Sequence, residues 1–497
     1  MRAPPRFRAL LAATALVVAG SAFATQAAAS GTAAGCTVEY RTTGQWDAGF
    51  QGDVTLTNHG SPVENWSLTF DFPGTQKVTQ GWSGKWSQSG RTVTAVNESW
   101  NGKIPTGGTV SAGFTASWSG SNPAPTAFKV NGVACEGDTG PGDPTDPPTD
   151  PPTDPPAPGG APPQLRVSGN KLVDQNGATR RMLGVNRSGG EFACIQGYGI
   201  FDGPVDDASV QAIADWKVNT VRVPLNEECW LGLPHVNAAY SGANYIAAIK
   251  GYVARLEAHG ITPVVELHWS HGKYTGGDSH CPDTEYATCQ KPMPNAQYTP
   301  AFWTSVAQTF KNDRAVVFDL FNEPFPDRAT SNLDAAWTCW RDGGSCPGID
   351  FQVAGMQSLV NAVRATGAQN LVLIPGVAYS NDMRQWLKYR PTDPAGNTAA
   401  AWHTYNFNTC SNESCWNEQL APVIAQVPLV AGEIGENTCS HGYIDRVMAW
   451  LDGRGASYLG WTWNTWDCSA GPSLISDYNG TPTSFGVGLR DHLKGLS

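Results

Sequence analysis

Between Asp138 and Pro163 the chain reads DTGPGDPTDPPTDPPTDPPAPGGAPP, with PTDP repeated three times. Proline fixes φ and has no backbone N–H, so this segment supports neither a helical nor a sheet ladder and cannot join a core. In polyproline II form its roughly 26 residues reach at most about 80 Å, at about 3.1 Å each. The recurring Asp residues repel one another and help keep it extended. It reads as a tether between separately folded units, and a chain of 497 residues is in any case long for one core.

The first thirty residues are MRAPPRFRALLAATALVVAGSAFATQAAAS. Arg2, Arg6 and Arg8 precede an apolar run from Ala9 to Ala19, and small residues follow, with cleavage expected after Ala24 or Ala29. Residues 1–29 therefore read as a secretory signal, too short in its apolar run for a membrane span. No later stretch approaches about 20 consecutive apolar residues. The mature protein is expected to be secreted, extracellular and soluble.

Twelve cysteines suit that compartment. Near pairs, Cys281 with Cys289, Cys339 with Cys346 and Cys410 with Cys415, read as disulfides. Metal binding competes at SHCPDTEYATC, where His280 stands beside Cys281, but no CxxC pair occurs and an oxidising destination favours bridges. No metal and no cofactor are expected. A net charge of −11 argues against nucleic acid or an acidic membrane as partner. A neutral polymer is not repelled, and 19 Trp offer flat faces on which sugars stack. A monomer is expected.

Residues 36–135 look all-β. Short alternating runs (GDVTLTN, WSLTFDF, RTVTAVN, GTVSAGFTASW) are punctuated by Gly, Asn and Pro. This suggests a β-sandwich of about 100 residues, with Cys36 and Cys135 clasping its ends. Trp66 alternates with Leu68, Phe70 and Phe72 and reads as core. Trp46, Trp82 and Trp100 lie among turn residues, where an indole is either exposed or plugging a local hole. The segment resembles the family 2 carbohydrate-binding modules along its length, in QWDAGFQGDVTLTN, VENWSLTFDFPGTQKVTQGW, SWNGKIPTGGT and PTAFKVNGVAC. The resemblance implies that Trp46, Trp82 and Trp100 form a flat strip lying on crystalline cellulose, and an indole at Trp82 favours the cellulose-binding branch over the xylan-binding one. Trp86 has no counterpart and stays unassigned.

From Gln164 to Ser497 strands alternate with helical stretches. Candidate strands are RRMLGVN, NTVRVPL, TPVVELHW, AVVFDLFNE, NLVLIPG, AAAWHTYN, PLVAGEIG and SYLGWTWN. Between them DASVQAIADW, NYIAAIKGYVARLEAHG, PAFWTSVAQTFKND, FQVAGMQSLVNAVRATG and GYIDRVMAWLDGRG place apolar residues three and four apart. Eight strands in this length fit a (β/α)8 barrel, an α/β TIM fold; a doubly wound sheet is the alternative, but no GxGxxG follows the first strand. In a barrel the C-terminal strand ends converge on one pocket. They supply Arg222, His268, Glu323, His403, Tyr405, Glu433 and Trp463 from six of the eight strands, too systematic a set for capping alone. Two carboxylates from opposing parts of a barrel, without a metal motif, suggest glycosidic cleavage.

Here the chain resembles glycoside hydrolase family 5, a family of retaining barrel enzymes, over residues 165–495. The matches are FNEP after the fourth strand, HTY after the sixth and GEIG after the seventh, where Ile434 replaces the frequent aromatic residue. The resemblance implies Glu323 as general acid/base and Glu433, rather than Glu436, as nucleophile. It further implies that Arg222 and Tyr405 hold Glu433 ionised, that Asn322 bonds the sugar 2-hydroxyl, that His268 and His403 bind neighbouring hydroxyls, and that Trp463 is the floor under the reacting sugar. Glu266 shares a strand face with His268 and reads as an interior residue paired to a base. Trp269, Trp461 and Trp466 read either as sugar platforms or as wall packing, and His271 and Tyr274 as subsite contacts. The expected activity is endo-β-1,4-glucanase, acting on cellulose and related β-1,4-linked polysaccharides. An endo-β-mannanase, xylanase or mixed-linkage glucanase with the same machinery is the alternative. A non-catalytic cellulose adhesin would require loss of a carboxylate, and both are present.

Overall fold

The computed structural model describes residues 35–46, 49–119, 122–125, 127–139, 160–277, 284–468 and 471–496. Residues 1–29, read from the sequence as a leader, most of the proline-rich segment and Cys281 lie outside them. Two units result, and each is described by itself.

Among the described residues the first unit has nine strands, β1 (Cys36–Trp46), β2 (Gly49–Asn58), β3 (Ser67–Asp71), β4 (Lys77–Trp82), β5 (Lys85–Ser89), β6 (Thr92–Val96), β7 (Thr109–Ser117), β8 (Phe128–Val130) and β9 (Val133–Thr139). They hydrogen-bond in the order β4-β7-β2-β1-β9-β8-β3-β6-β5, with β1 parallel to β9 and the other pairs antiparallel. Strand β9 runs to Thr139, so Asp138 and Thr139, read from the sequence as the start of the tether, belong to the sheet. Along β2 and β3 buried and part-exposed residues alternate, as a sheet with one face in a core requires. Phe70 of β3 lies 6.1 Å from Phe114 of β7, and Tyr40 of β1 lies 6.2 Å from Phe70. Strands far apart in the pairing order therefore face each other across an aromatic core, which is a sandwich. Cys36 is bridged to Cys135, and Trp66 is in the core.

The second unit is a closed barrel of eight parallel strands, β10 (Leu183–Asn186), β11 (Thr220–Asn226), β12 (Thr262–Trp269), β13 (Val317–Asp319), β14 (Val372–Pro375), β15 (Thr398–Tyr405), β16 (Leu429–Gly435) and β17 (Ser457–Gly460), with β17 pairing back onto β10. Each lies within or near its expected run, but β10, β13, β14 and β17 are shorter. The helix between Ala243 and Ala258 buries Tyr245, Ile249, Tyr252, Val253 and Leu256, one face at helical spacing. The run expected as a helix from Phe351 instead opens with a strand, Gln352–Ala354, before the helix Met356–Ala365, because Gly355 breaks the apolar spacing.

A three-stranded antiparallel sheet at Arg166–Ser168, Lys171–Val173 and Thr179–Arg180 precedes β10. Leu165, Leu172 and Met182 pack with Val264, Val317, Leu373, Ala399, Ala401 and Val430 from the barrel strands. That apolar plug lies towards the N-terminal ends of the strands and leaves the C-terminal ends for chemistry. Bridges join Cys194 to Cys229, Cys339 to Cys346, Cys410 to Cys415 and Cys439 to Cys468, and Cys289 is also in a disulfide. Among the described residues no helix is long and apolar enough to cross a membrane.

Candidate active site

Arg222 organises the pocket. It is the third residue of β11 rather than its end, opposite Asn186, the last residue of β10. Its fully buried guanidinium donates from Nε to Asp319 Oδ2 at 2.9 Å, from Nη1 to Asn186 Oδ1 at 3.0 Å and Glu433 Oε1 at 2.9 Å, and from Nη2 to Asn322 Oδ1 at 3.0 Å. Glu266 Oε1 lies 3.5 Å from Nη2, which places Glu266 in the interior beside a base, as the sequence implied. Burial works against the Arg222 charge, but Glu266, Asp319 and Glu433 together hold its pKa above the usual value.

Irregular pairing aims the site. Trp402 pairs with Ala431, whereas His403 pairs with Glu433, so Gly432 is an extra residue in β16. A Cβ on Gly432 would come within 2.9 Å of His403 Nε2, so only glycine lets the two strands approach here. A second register shift, between Leu225 and Asn226 against β12, falls at His268. Glu323 lies beyond the ladder of β13, which stops at Asp319; backbone bonds from Leu320 to Leu373 and from Asn322 to Leu267 carry the chain onward to it.

Glu433 also receives the Tyr405 hydroxyl on Oε2 at 2.5 Å. His403 Nδ1 stands 3.1 Å from Glu323 Oε1 and 3.6 Å from Glu433 Oε2. Expected on a sugar hydroxyl, His403 is instead buried between the two carboxylates. One oxygen of each carboxylate lies within 4.8 Å of the other. Burial raises the pKa of both acids. At Glu323 the neighbouring Glu433 adds to it and the shift is large, whereas at Glu433 the Arg222 charge and the Tyr405 hydroxyl pull it back. The pair is thus divided into a carboxyl that keeps its proton and one that gives it up first. Burial pushes His268 down to about 4 and His403 well below its usual value, so both rings are neutral in this pocket.

Asn322 Nδ2 lies 3.0 Å from Gln290 Oε1 and 3.4 Å from His268 Nε2. Gln290 Nε2 also donates to the Glu323 carbonyl at 3.3 Å. Gln290, Asn186 and Asp319 are the pocket residues that sequence reasoning missed. Gln290 sits in the long insertion after β12, where no periodicity marks it; Asn186 and Asp319 could have been found as the polar residues that end otherwise apolar strands.

The tryptophan assignment on β17 needs correcting. Trp463 is fully buried, edge-on to Trp216 at 4.8 Å, and cannot floor a sugar site. Half-buried Trp461 takes the position beside the pocket, its ring parallel to His268 at 5.4 Å. The β17 ladder stops at Gly460, so strand alternation does not carry on to residue 463. Trp269 and Trp466 flank Phe192 at 6.4 and 6.0 Å in a part-exposed aromatic group. Glu436 accepts from Tyr443 N–H and the Thr438 hydroxyl, in a structural role apart from the pair. Tyr274 is buried against Phe325 rather than open to a ligand, and His271 Nδ1 bonds Glu228 at 2.7 Å.

In the first unit Trp100 is 72% and Trp82 38% exposed. A Cβ on Gly113 would meet the Trp82 ring at 2.4 Å, so the indole lies across a glycine of the paired strand β7. Trp86, unassigned from sequence, packs on Phe114 at 4.8 Å and donates its N–H to the Trp82 carbonyl at 3.3 Å, supporting that strand from below. The Trp46 side chain lies outside the described residues.

Among the described residues two groups have donor atoms close enough for a cation. Cys439, Asp467 and Cys468 form one, but both sulfurs are spent in a disulfide. The other is Glu323, His403 and Glu433, the acid pair itself.

Residues 36–135 match the cellulose binding domain family, and residues 174–467 match the cellulase family, glycosyl hydrolase family 5. Endoglucanase CelA of Streptomyces lividans is 30% identical over 481 residues, 93% of this chain and 90% of that protein. Exoglucanase A of Cellulomonas fimi is 49% identical over 112 residues, 22% of this chain but 12% of that much longer protein. The native structure of a β-glucanase from Saccharophagus degradans superposes with a TM-score of 0.50 at 20% identity, over 67% of this chain and 93% of that one, a likeness of fold.

Proposed function

Because the chain belongs to glycosyl hydrolase family 5, we propose that it is a secreted endo-β-1,4-glucanase that cleaves with retention and is anchored to cellulose through its N-terminal domain. The observation that carries the reading is the acid pair. Its oxygens come within 4.8 Å, one acid is held by Arg222 and Tyr405, and the other is pushed far up by burial and by its partner. Retaining glycosidases keep their carboxyl groups about 5–5.5 Å apart, whereas inverting ones leave about 6.5–9.5 Å for a water.

In the first step a Glu433 oxygen attacks the anomeric carbon as the glycosidic bond breaks, and Glu323 gives its proton to the departing oxygen. A glycosyl ester on Glu433 and a shortened chain result. In the second step Glu323, now ionised, takes a proton from water; that water attacks the same carbon, the ester bond to Glu433 breaks, and Glu323 is again protonated. Tyr405 and Arg222 hold Glu433 towards the sugar. Neutral His403 bonds Glu323 Oε1 through Nδ1, with Glu433 Oε2 3.6 Å from the same nitrogen. Asn322 Nδ2 serves the sugar 2-hydroxyl by exchanging its long contact to His268 Nε2 for it, and Trp461 with His268 forms a flat wall beside the ring.

The activity reading is tested by reducing-sugar release from carboxymethylcellulose, galactomannan, xylan and mixed-linkage glucan. The expected result is release from carboxymethylcellulose with little from galactomannan or xylan. Release mainly from galactomannan or xylan would replace the substrate while leaving the acid pair in place.

A further inference from the structure

Gln290 completes a chain of hydrogen bonds that joins the holder of one acid to the backbone of the other. Its Nε2 lies against two carbonyls, that of Lys291 at 3.1 Å and that of Glu323 at 3.3 Å. Carbonyls only accept, so the nitrogen is fixed on that side and Oε1 is left to accept from Asn322 Nδ2 at 3.0 Å. Asn322 Oδ1 in turn accepts from Arg222 Nη2 at 3.0 Å, and Arg222 Nη1 holds Glu433. The donors all run one way, from the guanidinium to Asn322, from Asn322 to Gln290, and from Gln290 to Glu323. In a buried setting each such bond polarises and strengthens the next.

The loop that carries Gln290 is fastened on both sides of it. Ala287 N–H donates to Glu228 Oε2 at 2.9 Å, and the Ala287 carbonyl accepts from Asn226 Nδ2 at 2.8 Å. The Pro292 carbonyl accepts from Phe325 N–H at 2.9 Å, and the neighbouring Cys289 is in a disulfide. Glu227 accepts from His271 N–H at 2.9 Å and from Asn295 Nδ2 at 2.6 Å. Glu227 and Glu228 are fully buried just beyond the end of β11, and both are spent on this one insertion. Gln290 is therefore presented to Asn322 from a fixed backbone, as a preorganised site requires.

The Asn322 amide has two N–H bonds. Gln290 takes one, and the other faces His268 Nε2 at 3.4 Å, a long and weak contact that a ligand can replace. Arg222 grips only the oxygen and leaves a swing about χ2, which is broad for Asn. Gln290 closes the second corner of the planar group and so sets where the remaining N–H points. We propose that Gln290 is a positioning residue for the reaction: it fixes the plane of the Asn322 amide so that the second N–H meets the sugar 2-hydroxyl, where contacts strengthen in the transition state. The inference rests on the reading of Asn322 as the 2-hydroxyl contact.

The test uses the full chain and two 2,4-dinitrophenyl disaccharides of the sugar that the wild-type protein cleaves, one intact and one 2-deoxy at the sugar next to the bond. That leaving group departs without a proton, so any shift of Glu323 bears little on either rate. The ratio of the two kcat/KM values in one preparation does not depend on how much of a variant is folded. Gln290→Met, close in volume but without an amide, is expected to lower kcat/KM on the intact substrate by about tenfold, the scale of a hydrogen bond left unmade in a buried site, and to keep the 2-deoxy substrate within about twofold. Asn322→Ala is expected to show the same selective loss, and a larger one. If Asn322→Ala is selective but Gln290→Met lowers both substrates equally, or neither, then Gln290 only anchors its loop and the inference is overturned. If Asn322→Ala itself lowers both equally, the 2-hydroxyl reading fails and the inference falls with it.

Discussion

Glu433→Ala is expected to lower turnover of soluble β-1,4-glucan by about 10⁴-fold or more, the scale seen when a nucleophile is removed from a concerted set, while adsorption to cellulose stays at the wild-type level. Of the pair, Glu433 is the acid held at both oxygens, by Arg222 on Oε1 and by Tyr405 on Oε2. Truncation removes the attacking atom and leaves the Arg222 charge facing Asp319 and Glu266 alone, with both of those partners intact. The loss is therefore chemical and not one of folding, which an unchanged barrel melting temperature reports. The converse change, Trp46, Trp82 and Trp100 all to Ala, is expected to abolish adsorption to crystalline cellulose and spare the soluble substrate. Surviving turnover in Glu433→Ala would remove the nucleophile assignment; persistent adsorption in the triple variant would remove the strip.

Glu323→Gln is expected to lower kcat/KM by about 10²–10⁴-fold and to flatten the alkaline limb of its pH profile. Turnover needs Glu433 ionised and Glu323 protonated. Burial and the Glu433 charge raise the Glu323 pKa, so its proton is held to a higher pH than an ordinary carboxyl would allow. Activity is thus present below that raised value and lost as pH climbs through it. Glutamine keeps the shape but cannot titrate, so the alkaline loss disappears and the acid limb, set by Glu433, remains. A variant that keeps the wild-type alkaline limb would assign that limb to another group.

The architecture was legible in the sequence wherever periodicity held. TPVVELHW became β12 over its full length, and Trp66 is buried because strand alternation puts it with Leu68 and Phe70. The meeting of Glu323 and Glu433 was legible because position at a strand end does not depend on strand length: the two carboxylates come together although β13 ends four residues before Glu323. What failed was side-chain direction past the last ladder bond. At Trp463 alternation had ended with Gly460, and the buried and the pocket-side indoles were exchanged. The β16 bulge at Gly432 and the role of Gln290 depend on contacts between segments far apart in the chain, as do the Cys194–Cys229 and Cys439–Cys468 bridges. No local pattern encodes them.

The central claim is double displacement through Glu433 and Glu323, and proton NMR of the first sugars released from a β-1,4-gluco-oligosaccharide tests it most directly. Retention predicts that the new reducing end appears first as the β-anomer and only later equilibrates with the α-form. First appearance of the α-anomer would mean a single direct displacement by water, and would contradict the attack by Glu433.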